Sequence, residues 1–300
     1  MIVISLCFRA DAVVICDGTC HWFPLRVLPL LGIDVIPTIH CVLWTKALSP
    51  PRSFVQRALA RLNRPFWRGS PLRILSASSD ISDQLATLTS GRHPPIIEFL
   101  PTYRRGTFRE FTHASHERKP FRVFFAGRIE VDKGVFDLLE IARRLKLDAR
   151  HDIEFDLCGN GSEIGRLREQ AIQLGLSDRF RVHGHCDRVA MREKFSQCHI
   201  VIVPTTTDFV EGFNQVVVEG VLAGRPVVTS EVCPAIRYVR EAIVQVAAND
   251  VEGYQLAILA LRDNASLYEQ KRNACGPLQG QFYDETRGWA AALERAIEPL

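Results

Sequence analysis

Between Val35 and Ser79 the chain has no acidic residue at all, while it carries Lys46, Arg52, Arg57, Arg61, Arg64, Arg68 and Arg73. Residues 1–120 hold 15 Lys and Arg against 8 Asp and Glu, whereas the remainder holds 22 against 26. That asymmetry points to an anionic partner for the first part of the chain. Long apolar runs are also missing. Met1–Phe8 is apolar but is broken by Arg9 and Asp11, and no basic stretch precedes it. No later run approaches the roughly 20 residues a membrane-spanning helix needs. There is no solenoid-type repeat and no low-complexity segment. No strand leads into G-x-G-x-x-G with an acid about 20 residues on, which argues against a dinucleotide-dependent dehydrogenase. Cys16, Cys20 and His21 stand together, but no second ligand pair follows at structural-zinc spacing. The basic stretch lacks the interleaved aromatics of a nucleic-acid-binding motif.

Cysteine is not scarce. The nine residues are Cys7, Cys16, Cys20, Cys41, Cys158, Cys186, Cys198, Cys233 and Cys275. The odd number, and their places inside apolar runs, read as reduced, buried thiols of a cytoplasmic protein.

Three hundred residues with 47% apolar content suffice for one large domain or two medium ones. Short strand-like runs alternate with longer helical patterns, which is the rhythm of parallel sheets covered by helices. In the first half we expect strands at Ala12–Cys16, Val35–Ile39, Arg73–Ala77 and Ile96–Leu100, with helices over Leu25–Leu31 and Phe54–Leu62. A polar stretch over 103–120 reads as a linker. Beyond it strands are expected at Arg122–Ala126, Ile153–Cys158, Arg181–His183, Ile200–Val203 and Pro226–Thr229. Helices are expected near Val135–Leu145, Glu163–Leu174, Arg188–Gln197 and Phe213–Ala223. Trp289, Leu293 and Ile297 mark one stripe of a final helix.

Several turns in the second half carry chemistry. Gly127-Arg-Ile-Glu-Val-Asp-Lys-Gly134 follows a strand and opens a helix. The glycine lets a ligand approach the backbone, and Arg128 and Lys133 stand where a helix N-terminus already favours anions. The arrangement suits a diphosphate; alone it equally suits two solvated cations. Gly159-Asn-Gly161 is a second such turn, weak by itself. His183-Gly-His185 ends a strand, as a base contact or as satisfied histidines. Glu211 and Glu219 flank Gly212, Phe213, Asn214 and a valine run. Carboxylates only accept hydrogen bonds and so suit sugar hydroxyls; spacing alone leaves them open between ligands and solvated acids.

Together and in order, Arg-x4-Lys-Gly, G-x-G-x-E, E-G-F-x5-E-G and Gly224-Arg-Pro-Val-Val228 resemble retaining glycosyltransferases of GT-B fold with an E-x7-E motif, the group 1, family 4-like enzymes. The likeness is close over about residues 120–290. It is looser over Val13–Asp17, Val35–His40, Leu75–Ser79 and Ile97–Pro101. It implies an α/β, GT-B protein: two Rossmann-like domains facing a cleft, the N-terminal one incomplete. About 60–90 residues, including a first strand and a glycine-rich loop, are expected before Met1. The expected division is a partial acceptor-side domain over 1–105, a linker over 106–120, a nucleotide-sugar-binding domain over 121–282 and a C-terminal helix over 283–300.

The resemblance implies transfer of a sugar from a nucleotide-diphosphate sugar to a glycan or lipid-linked acceptor, with retention. The alternative is a non-catalytic nucleotide-sugar-binding remnant. Arg128 and Lys133 then take the diphosphate beside Gly127 and Gly159. Glu219 takes the ribose and His185 the base side. Glu211 lies by the donor sugar with the amides of Gly212, Phe213 and Asn214, and His40 faces that sugar. No metal and no cofactor are expected, and Glu154-Phe-Asp156 falls inside a strand. The family usually has glycine where Asn214 stands. The segment from Arg52 to Arg68 alternates arginines with Phe54, Val55, Ala58, Leu59 and Leu62 at helical spacing. It can lie on an anionic membrane surface, which would make the protein peripheral at the inner face.

Overall fold

The structure is a computed structural model that describes residues 9–16, 21–45, 53–108, 111 and 115–298. Lys46, Arg52 and Cys20 lie outside the described residues. The chain forms two compact units. The first comprises Met1–Thr102, Val210–Phe213 and Phe282–Leu300; the second comprises Tyr103–Phe209 and Asn214–Gln281.

The first unit is built on four parallel strands in the order β1-β2-β3-β4: β1 Ala12–Cys16, β2 Asp34–Ile39, β3 Ile74–Ser76 and β4 Ile96–Glu98. The third strand is shorter than its apolar run, because Ser78 already caps the helix Ser79–Thr89 by accepting from the Ile81 N–H; the fourth ends at Glu98, two residues before its run does. Instead of one helix over Leu25–Leu31 there is a tight turn, Phe23–Arg26, then one helical turn, Val27–Leu30. The second helix, expected to end at Leu62, runs from Phe54 to Gly69 through Pro65. Its last turns carry the burial: Phe66 and Trp67 are enclosed, and Trp67 lies 4.7 Å from the Trp22 ring centroid. Phe54, Val55 and Leu62, at 78%, 64% and 53% exposure, face outward.

The final helix, Trp289–Ile297, belongs to this first unit. Its enclosed face is Ala292 and Ala296, not the stripe of Trp289, Leu293 and Ile297; Leu293 is partly covered, and Trp289 and Ile297 are exposed. Small side chains let this helix approach the sheet closely. Trp289 Nε1 donates to Thr38 Oγ1 at 3.0 Å, and Arg73 donates to the Ala296 and Glu298 carbonyls at 2.8 and 2.7 Å.

The second unit has six parallel strands: β5 Phe121–Ala126, β6 Ile153–Cys158, β7 Phe180–Gly184, β8 Ile200–Val203, β9 Val227–Ser230 and β10 Ile243–Val246. Their order is β10-β9-β8-β5-β6-β7. The chain thus starts in the middle, works to one edge, returns and works to the other, which is the doubly wound Rossmann order. β10 was not anticipated, because Ile243-Val-Gln-Val246 is a short edge strand that alternates only weakly in burial. The core joins Val123, Phe125, Phe155 and Leu157 of the central strands to Leu138, Leu139, Ala142 and Leu145 of the helix Val135–Leu147. Each fully buried aliphatic side chain of this kind contributes about 1.5–3 kcal/mol. No helix among the described residues is long and apolar enough to cross a membrane.

The other face of β5, β6 and β7 carries charge, because alternate residues point there. Arg122 bridges Glu154 at 3.4 Å and Asp156 at 3.1 Å, and Arg181 meets Glu154 at 2.6 Å. His183 and Lys194 reach the enclosed Asp156 carboxylate at 2.5 and 3.0 Å. Glu154 and Asp156 are therefore both committed to protein cations. Burial pushes the Asp156 carboxyl up, but the hydrogen bonds from His183 and Lys194 outweigh it and hold it below the ordinary carboxylate range. A group depressed in the folded state stabilises above its unfolded value, near 4, and that contribution is lost as pH falls through the folded value. Replacing Asp156 by Ala should cost about 1–3 kcal/mol at neutral pH, because the partly buried His183 and Lys194 lose their carboxylate partner while Arg122 keeps Glu154. The cost should shrink at pH 3, as read by urea unfolding at both pH values.

Candidate functional site

Ligands of doubly wound sheets bind outside the carboxyl ends of the strands where the strand order reverses. Here that place lies between β5 and β8, which are neighbours in the sheet. The residues singled out at the glycine turns emerge there.

β5 ends at Ala126 and the chain enters Gly127. The Gly127 N–H donates to Cys158 O at 3.0 Å, and the Gly159 N–H donates to Gly184 O at 2.7 Å, so the exits of β5, β6 and β7 are tied in series. The backbones approach so closely that a Cβ on Gly159 would collide with the Gly127 carbonyl oxygen. Ile129 donates to Asn160 O at 2.9 Å, and the Ser162 N–H and hydroxyl both donate to the Glu130 carboxylate, at 2.8 and 2.7 Å. Those two bonds hold the Glu130 carboxyl below its ordinary range.

The Arg128 side chain is half-exposed, with Asp132 at 4.0 Å. Lys133 closes a tight turn, Val131–Lys133, before Gly134, whose φ of +72° ends that turn and begins the helix Val135–Leu147. A side chain on Gly134 would collide with the Pro204 carbonyl, just past β8. The Thr206 N–H and hydroxyl donate to Asp132 O at 3.0 and 3.2 Å. Both cations lie over one aromatic ring: Lys133 Nζ is 3.6 Å and the Arg128 guanidinium carbon 5.2 Å from the Phe209 centroid. Phe209 was not singled out in the sequence; an aromatic two positions before a glutamate gives no signal until β8's exit is placed against β5's.

The helix expected over Phe213–Ala223 spans Gln215–Leu222. Asn214 precedes it at φ +64°, ψ +83°, the left-handed conformation that asparagine tolerates better than most residues and that suits the family's usual glycine. The two glutamates fall in different units. Glu219 lies within the helix in the second unit, and burial raises its carboxyl pKa. Tyr103, read as linker, belongs to the same unit; burial and then the Glu219 carboxylate push its phenol up. Glu211 is in the first unit, enclosed at 6% exposure, with its Oε1 accepting from the Gly212 N–H at 3.1 Å. Its carbonyl accepts from Val42 N–H at 3.2 Å, and a Cβ on Gly212 would stand 2.7 Å from the His40 carbonyl oxygen. Glu211, Gly212 and His40 therefore share the strand end after β2, while Phe213 packs edge-on to Phe282 at 6.3 Å. His40 is exposed and packs edge-on to Phe99 at 5.4 Å. His185 is exposed beyond β7.

One expectation is corrected. Cys158 and Cys186, read as reduced thiols, are joined as a disulfide with Cα atoms 5.8 Å apart, beside the Gly159 turn. Their spacing of 28 residues hides a proximity that only pairing of β6 with β7 creates. Cys198, Cys233 and Cys275 are buried thiols as expected, whereas Cys16 and Cys41 are exposed, so the reading of buried thiols fails for those two as well. Among the described residues no group of three or more His, Cys, Asp or Glu could hold a metal ion.

With the sheet and its turns placed, the family follows. Residues 108–276 match the family Glycosyl transferases group 1, and the chain belongs to it. Among curated relatives, the D-inositol 3-phosphate glycosyltransferase 1 of Catenulispora acidiphila is 28% identical over 300 residues, 92% of this chain and 69% of that protein. The UDP-N-acetylglucosamine–peptide N-acetylglucosaminyltransferase GtfA subunit of Streptococcus pneumoniae is 26% identical over 152 residues, 51% of this chain and 28% of that protein. The chain thus spans under a third of the two streptococcal relatives. Among solved structures, Anabaena HepE in complex with UDP aligns with a TM-score of 0.77 at 15% identity, over 98% of this chain and 80% of that one. Pneumococcal GtfA in complex with UDP and GlcNAc aligns at 0.72 and 15%, over 99% and 60%. At that identity these likenesses show the fold, which is GT-B.

The close approach predicts an asymmetry between glycines. Gly159→Ala should lose on the order of 1–3 kcal/mol and depress the melting temperature. Gly165→Ala, in a helix with open space around it, should gain about 0.5–1 kcal/mol. Thermal unfolding of the two variants side by side checks both signs.

Proposed function

We propose that this chain is a glycosyltransferase that moves a sugar from a nucleotide-diphosphate sugar to a glycan or lipid-linked saccharide, with retention at the anomeric carbon. The observation that carries the reading is the pairing of Arg128 and Lys133 over Phe209, beside glycine turns too tight for any side chain, at the sheet's reversal point. UDP in the complexes of the structural neighbours supports the class of donor.

The roles follow from the chemistry of each group. As the anomeric C–O bond breaks, its electron pair stays on the departing phosphate oxygen. Arg128 and Lys133 meet that charge, each charge-assisted hydrogen bond contributing about 1.5–3 kcal/mol. Gly127 and Gly159, packed backbone to backbone at the strand exits, form the floor beside which the diphosphate rests. Glu219 accepts from the ribose hydroxyls, and His185 lies on the base side. Glu211, the amides of Gly212, Phe213 and Asn214, and His40 serve the transferred sugar. Two cations supply the countercharge, so the reading needs no metal and no cofactor.

Incubation with a panel of nucleotide sugars, followed by release of nucleoside diphosphate, tests the reading. Turnover should fall about a hundredfold or more in Lys133→Ala and in Glu211→Gln. The anomeric coupling constant of the product by NMR should match that of the donor, and an inverted product removes retention. Nucleotide binding without turnover in any acceptor mixture would instead identify a nucleotide-sugar-binding protein.

The basic helix supports a second partner on the cytoplasmic side, an anionic membrane surface. Phe54, Val55 and Leu62 stay exposed on the helix that also exposes Arg57 and Arg61. Each basic residue near an anionic surface contributes about 1 kcal/mol. The protein should co-sediment with phosphatidylglycerol vesicles but not with phosphatidylcholine vesicles, and the triple change of Arg57, Arg61 and Arg64 to Glu should abolish it. Sedimentation that ignores lipid charge sinks the idea.

A further inference from the structure

Phe209 has no role in the scheme above, yet its ring is the point where both cations meet. Lys133 Nζ lies 3.6 Å from its centroid and the Arg128 guanidinium carbon 5.2 Å. The ring's own place is well determined. The Phe209 N–H donates to Thr206 O at 3.4 Å, and Thr206 is bound to Asp132 O through its N–H and its hydroxyl. The next residue, Thr207, exchanges two hydrogen bonds with Asn249, at 3.2 and 2.8 Å. Ring and cations thus sit on loops that the paired strand ends already join.

We infer that Phe209 is a positioning residue for Lys133 and Arg128, an inference that rests on reading those two cations as diphosphate ligands. Two like charges on neighbouring long side chains repel and drift apart. The face of an aromatic ring carries negative partial charge and draws each cation towards it. One ring shared by two cations therefore offsets their repulsion and orders both. A diphosphate then meets cations already in place, and less conformational freedom is lost on binding.

The contact and its consequence can be measured separately on wild type, Phe209→Leu, Phe209→Tyr and Lys133→Ala. Reductive ¹³C-methylation of the lysines supplies an NMR signal for Lys133, assigned by its absence in Lys133→Ala. In wild type the ring current should shift that signal upfield. The shift should vanish in Phe209→Leu and return in Phe209→Tyr. On unmethylated protein, calorimetric affinity for UDP and for inorganic pyrophosphate should weaken roughly three- to tenfold in Phe209→Leu and recover in Phe209→Tyr. A Lys133 signal indifferent to Phe209 overturns the inference. So does equal or tighter binding of both probes by Phe209→Leu while Lys133→Ala binds them weakly, because the ring would then be idle or obstructive. If Lys133→Ala also binds both probes like wild type, the ligand assignment itself fails and the positioning role falls with it.

Discussion

The second unit depends on one close approach, the exit of β5 pressed against the exits of β6 and β8. Gly159 stands against the Gly127 carbonyl, and Gly134 against the Pro204 carbonyl. Neither contact tolerates a side chain, and hydrogen bonds from Thr206 to the Asp132 carbonyl fasten the second one. This packing follows from the strand order. Because β5 and β8 are neighbours although three strands apart in sequence, their loops must leave the sheet side by side. Everything that gives this edge its chemistry, Arg128, Lys133 and the Phe209 ring, is carried on those loops.

The charged network on the opposite face of β5, β6 and β7 shows how the same strands separate two tasks. Phe155 and Leu157 face the apolar core, while Glu154 and Asp156 face Arg122, Arg181, His183 and Lys194. A pair of acids one residue apart can look like a metal-binding motif on paper. In the folded protein both carboxylates accept hydrogen bonds from side chains of the same sheet and of the helix Arg188–Gln197. His183 is a strand histidine bonded to Asp156, and both it and His185, two residues on, are exposed.

Much of the architecture was legible in the chain. The alternation of short apolar runs with helical patterns announced parallel sheets, and all nine expected strands are present: Ala12–Cys16, Ile153–Cys158 and Ile200–Val203 keep their bounds, and the other six shift by one or two residues at their ends. The misses have local causes. A helix passes through Pro65 because the apolar pair Phe66 and Trp67 beyond it is buried beside Trp22. The final helix buries alanines, because a close approach rewards small residues over the large stripe that periodicity suggests. The Cys158–Cys186 bridge could not be read from spacing, since it depends on the pairing of β6 with β7.

The sequence by itself determined the class of fold, the glycine turns and the identity of the charged and carboxylate groups, because these rest on local periodicity and on residue chemistry. Only the tertiary structure decided which of them meet. It put Lys133 and Arg128 on one ring, assigned Glu211 to the first unit and Glu219 to the second, and brought Tyr103 within reach of the Glu219 charge. Such meetings depend on which strands are neighbours and where the chain crosses between units. Those are properties of long-range pairing, which no window of neighbouring residues contains.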